Sequence, residues 1–161
     1  MDAEAIEGVR VAAWRAAYRE YMPASFLDAL DPSGNVPGLQ DAIRTQQLPF
    51  ELKILENDGM VVASMLLGSP RYPSKPSTLE LWALNVAPGH WRCGAGRMLV
   101  QEALVSAKAQ AFSRVELLCL VGNKPAVALY ESCGFIATGE FRTTTRLTGH
   151  PLHEAAFQRA P

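Results

Sequence analysis

The stretch Asn85-Val86-Ala87-Pro88-Gly89-His90-Trp91-Arg92-Cys93-Gly94-Ala95-Gly96-Arg97-Met98 passes from a strand pattern to a helix pattern through closely spaced glycines. Before it, Leu79 to Val86 reads as a strand. After it, Leu99, Ala103, Leu104, Ala107 and Ala111 recur on one face of a helix spanning Leu99 to Ala111. Glycines let backbone amides approach a ligand without Cβ interference, and a helix N-terminus adds roughly half a positive charge. The turn is therefore a candidate cradle for a pyrophosphate, built without a lysine. A Walker loop would close with Gly-Lys-Ser/Thr, and a dinucleotide fingerprint would place a third small residue where Leu99 stands. Taken alone, Gly-Ala-Gly is equally a plain turn into a helix.

Working outward, Arg114 to Val121 reads as a second strand. Strand, helix, strand implies a parallel pair with a right-handed crossover, which puts the glycine turn at the carboxyl end of the first strand, where open sheets bind ligands. Upstream, Ile6, Val9, Ala13 and Ala17 predict a helix from Ala3 to Tyr18, followed by a short apolar segment at Ser25 to Leu30 and another helix near Leu39 to Thr45. Phe50 to Leu55 and Met60 to Leu67 predict a hairpin closed by Asp58-Gly59. Gly68 to Ser77, with three prolines, predicts an exposed loop bordering a substrate site. Downstream, a helix from Lys124 to Ser132 is capped by Asn123 and stopped by Gly134, and Phe135 to Arg142 with His153 to Gln158 predicts a last antiparallel pair.

The 161 residues are 48% hydrophobic and 19% charged, an ordinary globular balance that leads to the expectation of one domain over 1–161. A formal charge of -1, with Lys and Arg scattered, argues against nucleic acid as a partner. No run is apolar enough to cross a bilayer, and a cytoplasmic protein is expected. Cys93, Cys119 and Cys133 have neither zinc nor disulfide spacing and read as reduced thiols, Cys119 in the core. His150 and His153 enclose Pro151 with no third ligand nearby, so no metal is expected.

Asn123-Lys124-Pro125-Ala126-Val127-Ala128-Leu129-Tyr130-Glu131-Ser132-Cys133-Gly134-Phe135 adds a second motif. Together, the two motifs resemble the GNAT superfamily of acetyl-CoA-dependent N-acetyltransferases, whose pattern is a strand, a Gly-x-Gly pyrophosphate loop, and Asn-x-x-Ala-x-x-x-Tyr-x-x-x-Gly-Phe. Trp14, Tyr18 and Pro23 resemble the opening helices of members with small acceptors, and Gly149 to Glu154 resembles the family's last hairpin. The resemblance implies an α/β fold with a mixed, twisted sheet and helices on both faces. It also implies that backbone at Leu84 and Val86 meets the acyl-pantetheine arm, that the loop residues Trp91, Arg92, Cys93, Gly94, Ala95, Gly96, Arg97 and Met98 meet the pyrophosphate, and that Asn123 contacts the pantetheine arm. Tyr130 would stand near the thioester sulfur as general acid.

Attack needs a neutral amine, and deprotonating an alkylamine of pKa about 10.4 at pH 7 costs roughly 4 to 5 kcal/mol, so a base is expected. Glu80 is the provisional choice, on the face that period-two alternation shares with Trp82, Leu84 and Val86; a solvent-facing strand-end carboxylate is the competing reading. His90 could do the same work, but its place beside Gly89 at the loop favours a surface or phosphate-side residue. The chain departs from the family in carrying Trp91 where Gln or Arg is common, Arg92 where glycine often sits, and no strand before its first helix. Either the start is trimmed or a sheet edge is bare, and a bare edge invites a homodimer. The expected function is direct transfer of acetyl from acetyl-CoA to a primary amine on a small molecule or peptide. The alternative is a non-catalytic acyl-CoA sensor.

Overall fold

The computed structural model describes residues 2–45, 48 and 50–161. Helix α1 (Ala3–Ala17) starts at an Asp2 cap whose carboxylate accepts the Glu4 and Ala5 amides. Helices α2 (Ala24–Asp28) and α3 (Val36–Thr45) follow. The α3 helix begins three residues before the expected Leu39, because Pro37 and Gly38, which read as helix breakers, lie in a first turn that needs no amide partners. The hairpin forms as expected from β1 (Glu51–Asn57) and β2 (Met60–Gly68), with Asp58 and Gly59 both at positive φ.

The second half alternates β3 (Thr78–Val86), α4 (Ala95–Ala109), β4 (Arg114–Leu120), α5 (Lys124–Ser132), β5 (Ile136–Thr144) and β6 (Leu152–Arg159). The α4 helix starts at Ala95, not Leu99, so Ala95 and Gly96 belong to its first turn rather than to the loop. The six strands form one mixed sheet in the order β1-β2-β3-β4-β6-β5, with β3 and β4 the parallel pair. The β1 strand holds one edge, and no strand precedes α1 among the described residues. No helix among them is long and apolar enough to cross a membrane.

One sheet face packs under α4: Leu79, Leu81, Val115, Leu117, Cys119 and Phe157 meet Leu99, Val100, Ala103 and Ala107. The other lies under α1 and α3 along β1 and β2, and under α2 at the ends of β4 and β6. Two irregularities open the sheet. Leu66 pairs with Ala83 but Leu67 with Leu81, so Trp82 is an extra residue on β3, a bulge that bends the strand. The parallel ladder pairs only Thr78–Leu81 with Arg114–Leu117. Beyond it β3 pairs with β2 alone and β4 with β6 alone, leaving a wedge between their carboxyl ends.

Candidate active site

The bulge changes which side chains share a face. Leu84 and Val86 pack in the α4 core with Leu79 and Leu81, while Glu80 faces the opposite side. The expectation that Glu80, Trp82, Leu84 and Val86 share a face is corrected: alternation holds only along an unbulged strand.

The wedge exposes backbone. Ala87 donates its amide to the Val62 carbonyl, so Val62 and Ala87 are a hydrogen-bonded pair, and by antiparallel alternation Ser64 and Asn85 are the next. The backbone groups of Leu84 and Val86 between them point away from β2, into the wedge. The Val86 carbonyl is already taken by the Trp91 indole at 2.7 Å. What remains is both polar groups of Leu84 and the Val86 amide.

At the wedge mouth the chain turns through Pro88–His90 into α4. Arg92 and Gly94 sit at φ 59° and 91°, in the left-handed region. The Trp91 amide donates to Pro88 and the Met98 amide to Gly94 at 3.0 Å, whereas the amides of Arg92, Cys93, Gly94, Ala95, Gly96 and Arg97 have no acceptor among the described residues. Six consecutive unbonded amides gather at the N-terminus of a 15-residue helix, an arrangement whose partial positive charge suits an anion. The Trp91 and Met98 amides are thus engaged within the chain, while their side chains stay exposed beside the loop. A Cβ on Gly96 would meet the Leu129 side chain at 2.9 Å, so this glycine lets α4 lie close to α5.

Across the wedge, Asn123 caps α5, its Oδ1 accepting the Ala126 amide at 3.3 Å, which leaves its NH₂ group to donate elsewhere. Tyr130 lies on α5, buried, with its ring 6.0 Å from Phe135. Burial raises its phenol well above the ordinary value, and the nearby Cys119, Tyr18 and Cys133 add to this. Tyr18, at the C-terminal cap of α1, is pushed up to about 12 by burial, then by Cys119 and Glu154. Tyr130 from α5 and Tyr18 from α1 thus approach Cys119 from opposite sheet faces, as an open sheet allows.

The α1 helix is held there by the Trp14 indole, which donates to Asn85 Oδ1 at 3.0 Å. On that face Glu80 is buried and both its oxygens are engaged by Arg71, through the backbone amide at 2.6 Å and the guanidinium at 2.7 and 3.0 Å. An incoming amine would compete with Arg71 for the same lone pairs. Ser74 donates to Glu116 at 2.5 Å and the Trp82 indole to the Ser69 carbonyl at 3.0 Å, so the loop from Ser69 to Ser77 is tied down at several points. Between loop and sheet, about 10 Å³ remains beside Tyr72, Glu80, Glu116 and Arg142, room for about one water.

The sequence profile of the Acetyltransferase (GNAT) family fits residues 11–135. The chain belongs to the GNAT acetyltransferase family. Acyl transfer is the chemistry that membership supports.

Among curated relatives, the GNAT chain is 43% identical over 76 residues to N-acetyltransferase family 8 member 3 of Rattus norvegicus, which is 46% of this chain and 33% of the relative. It is 40% identical over 80 residues to mycothiol acetyltransferase of Beutenbergia cavernae, 50% of this chain and 26% of that one. The matches thus span a third or less of those relatives. Among solved structures, PaiA N-acetyltransferase from Thermoplasma acidophilum, determined with coenzyme A, superposes with TM-score 0.75 at 16% identity over 99% of this chain and 93% of the other. Ribosomal-protein-alanine N-acetyltransferase from Brucella melitensis gives 0.69 at 24% identity, over 98% and 96%. At these identities the likeness establishes the fold.

Sequence reasoning assigned no role to Tyr18, Arg71, Arg142 or Glu154. Glu154 left a signal, a carboxylate between the buried Leu152 and Ala156 on one strand face. Arg71 left none, because its bond to Glu80 joins a loop to a strand nine residues on.

Proposed function

We propose that the chain is an N-acetyltransferase of one domain over 1–161 that moves an acetyl group from acetyl-CoA to a primary amine by direct transfer. The observation that carries this reading is the run of six unbonded amides, Arg92 to Arg97, beside the sheet wedge. The amides would hold the pyrophosphate, the Leu84 edge and Asn123 would guide the pantetheine arm, and the thioester would lie in the wedge near Tyr130. A backbone amide of β3 would polarise the carbonyl as the amine adds.

When the tetrahedral adduct collapses, the departing sulfur resembles a free thiol, of ordinary pKa about 8.5, and the Tyr130 phenol lies above 10. Tyr130 is neutral at physiological pH and stabilises the developing thiolate first as a hydrogen-bond donor, the proton following as the amine nitrogen gives one up. Proton removal from the amine takes place on the face that carries Glu80 and Glu154. In this reading Glu80 chiefly anchors the loop through Arg71.

The test is acetyl-CoA binding followed by thiol release with a panel of amines. A hundredfold excess over Kd stabilises by about 2.7 kcal/mol. Absence of any thermal shift with acetyl-CoA or CoA sinks the proposal.

A further inference from the structure

On the sheet face opposite α4, Arg142 of β5 stands directly across the ladder from Glu154 of β6. Opposite charges so placed lie about 5 Å apart at Cβ and ordinarily close into an ion pair. Here neither side chain makes an ion pair or a hydrogen bond among the described residues. The Arg142 guanidinium instead lies 4.2 Å from the centre of the Tyr72 ring, a stacking that leaves its N–H edge for another partner. The neighbouring carboxylates are committed, Glu80 to Arg71 and Glu116 to Ser74. Glu154 is half-buried, opposite Leu120 on β4 and close to Tyr18 and Cys119 at the wedge mouth. A partly desolvated carboxylate beside an unused cation is costly unless a ligand completes both.

We propose that Glu154 and Arg142 receive the acceptor, Glu154 taking its amine and Arg142 an anionic group close to that amine, so that the substrate class is the α-amino acid and its small conjugates with a free carboxylate. This rests on the acetyl-transfer reading and deepens it. In an α-amino acid the nitrogen and carboxylate are carried on one carbon, a separation that fits one cross-strand spacing. A polyamine or aminoglycoside would set a second cation against Arg142 and Arg71. The protons balance: of the two that the ammonium nitrogen loses, one passes through the Glu154 carboxylate to water. The second leaves as the C–N bond is made and the C–S bond breaks, and it ends on sulfur by exchange through the Tyr130 phenol.

Glu154 titrates in the company of Arg142 from β5, Arg71 and Glu80 from the loop and β3, Tyr18 from α1 and Cys119 from β4. Burial, then Glu80, raise it from its ordinary value, against the pull of Arg71 and Arg142. The acid limb of kcat/KM should therefore be displaced upward from the ordinary carboxylate value and vanish in Glu154→Gln.

The experiment measures thiol release from acetyl-CoA with the twenty free amino acids, their carboxamides and spermidine, on wild type, Glu154→Gln, Glu154→Asp, Arg142→Gln and Arg142→Lys. The expected result is turnover of free amino acids with kcat/KM at least tenfold above their amides. Arg142→Gln should erase that preference by raising KM, with Lys restoring part of it. Glu154→Gln should lower kcat about a hundredfold with acetyl-CoA binding unchanged and Asp rescuing part. Preference for amides or spermidine, or full kcat in Glu154→Gln, overturns the proposal while leaving acetyl transfer intact. Failure to bind acetyl-CoA at all removes both.

Discussion

At the scale of single residues, the site is built from groups in costly states. Arg92 holds a left-handed backbone at φ 59°, which costs a side-chain-bearing residue roughly 1–2 kcal/mol. Arg92→Gly should raise unfolding stability by about 1 kcal/mol and, if the guanidinium meets a phosphate, weaken acetyl-CoA binding in a salt-dependent way; thermal melts and titration at two salt concentrations read both. Tyr130→Phe removes only the hydroxyl of a buried ring and should lower kcat by ~10² or more while leaving acetyl-CoA affinity unchanged. An unaltered rate would remove Tyr130 from the mechanism. Glu154 makes a pH prediction with a definite sign. Its folded pKa lies above the unfolded one, so between the two the folded state binds more protons and stability falls as pH rises. Glu154→Gln should flatten that slope and melt higher than wild type at neutral pH. An unchanged or steeper slope contradicts the burial argument.

At the scale of elements, β3 and α1 decide what meets at the wedge. The β3–β4 ladder ends at Leu81, next to the Trp82 bulge, and the Leu84 and Val86 backbone faces the wedge beyond it. The α1 helix is registered on β3 by Trp14 and Asn85, and Asn85 is buried. Trp14→Phe leaves the Asn85 oxygen without its donor, at an expected cost of about 1–3 kcal/mol plus lost packing. If α1 carries Tyr18 into the acceptor side, KM for the amine should rise more than KM for acetyl-CoA. Equal effects on both would make Trp14 a purely structural contact. The same scale shows what local patterns reveal. The hairpin at Asp58-Gly59, the Asn123 cap and the Gly134 stop were legible because turn and cap chemistry is set by residues within a few positions of each other. The starts of α3 and α4 were misplaced because Pro37 and Gly96, weak helix formers in isolation, lie in first turns where the missing hydrogen bonds are absent anyway.

At the scale of the whole molecule, the site exists because a six-stranded sheet fails to close. Acetyl-CoA should fill that opening, so bound ligand should slow amide hydrogen exchange at Leu84, Val86 and Arg92 to Arg97 more than along the ladder of β1 with β2. Protection spread evenly over the sheet would place the cofactor elsewhere. The sequence by itself determined the α/β class, the strand and helix that flank the glycine turn, and the Asn123 cap of α5. Those features follow from periodicity, glycine spacing and caps, all interactions between near neighbours in the chain. Only the tertiary structure decided that the β3 alternation breaks at Trp82, that Arg71 occupies Glu80, and that Glu154 and Arg142 face each other without an ion pair among the described residues. A bulge depends on the partner strand, and an ion pair on which of many charges the fold brings within reach, and neither is encoded in the spacing of residues along one strand.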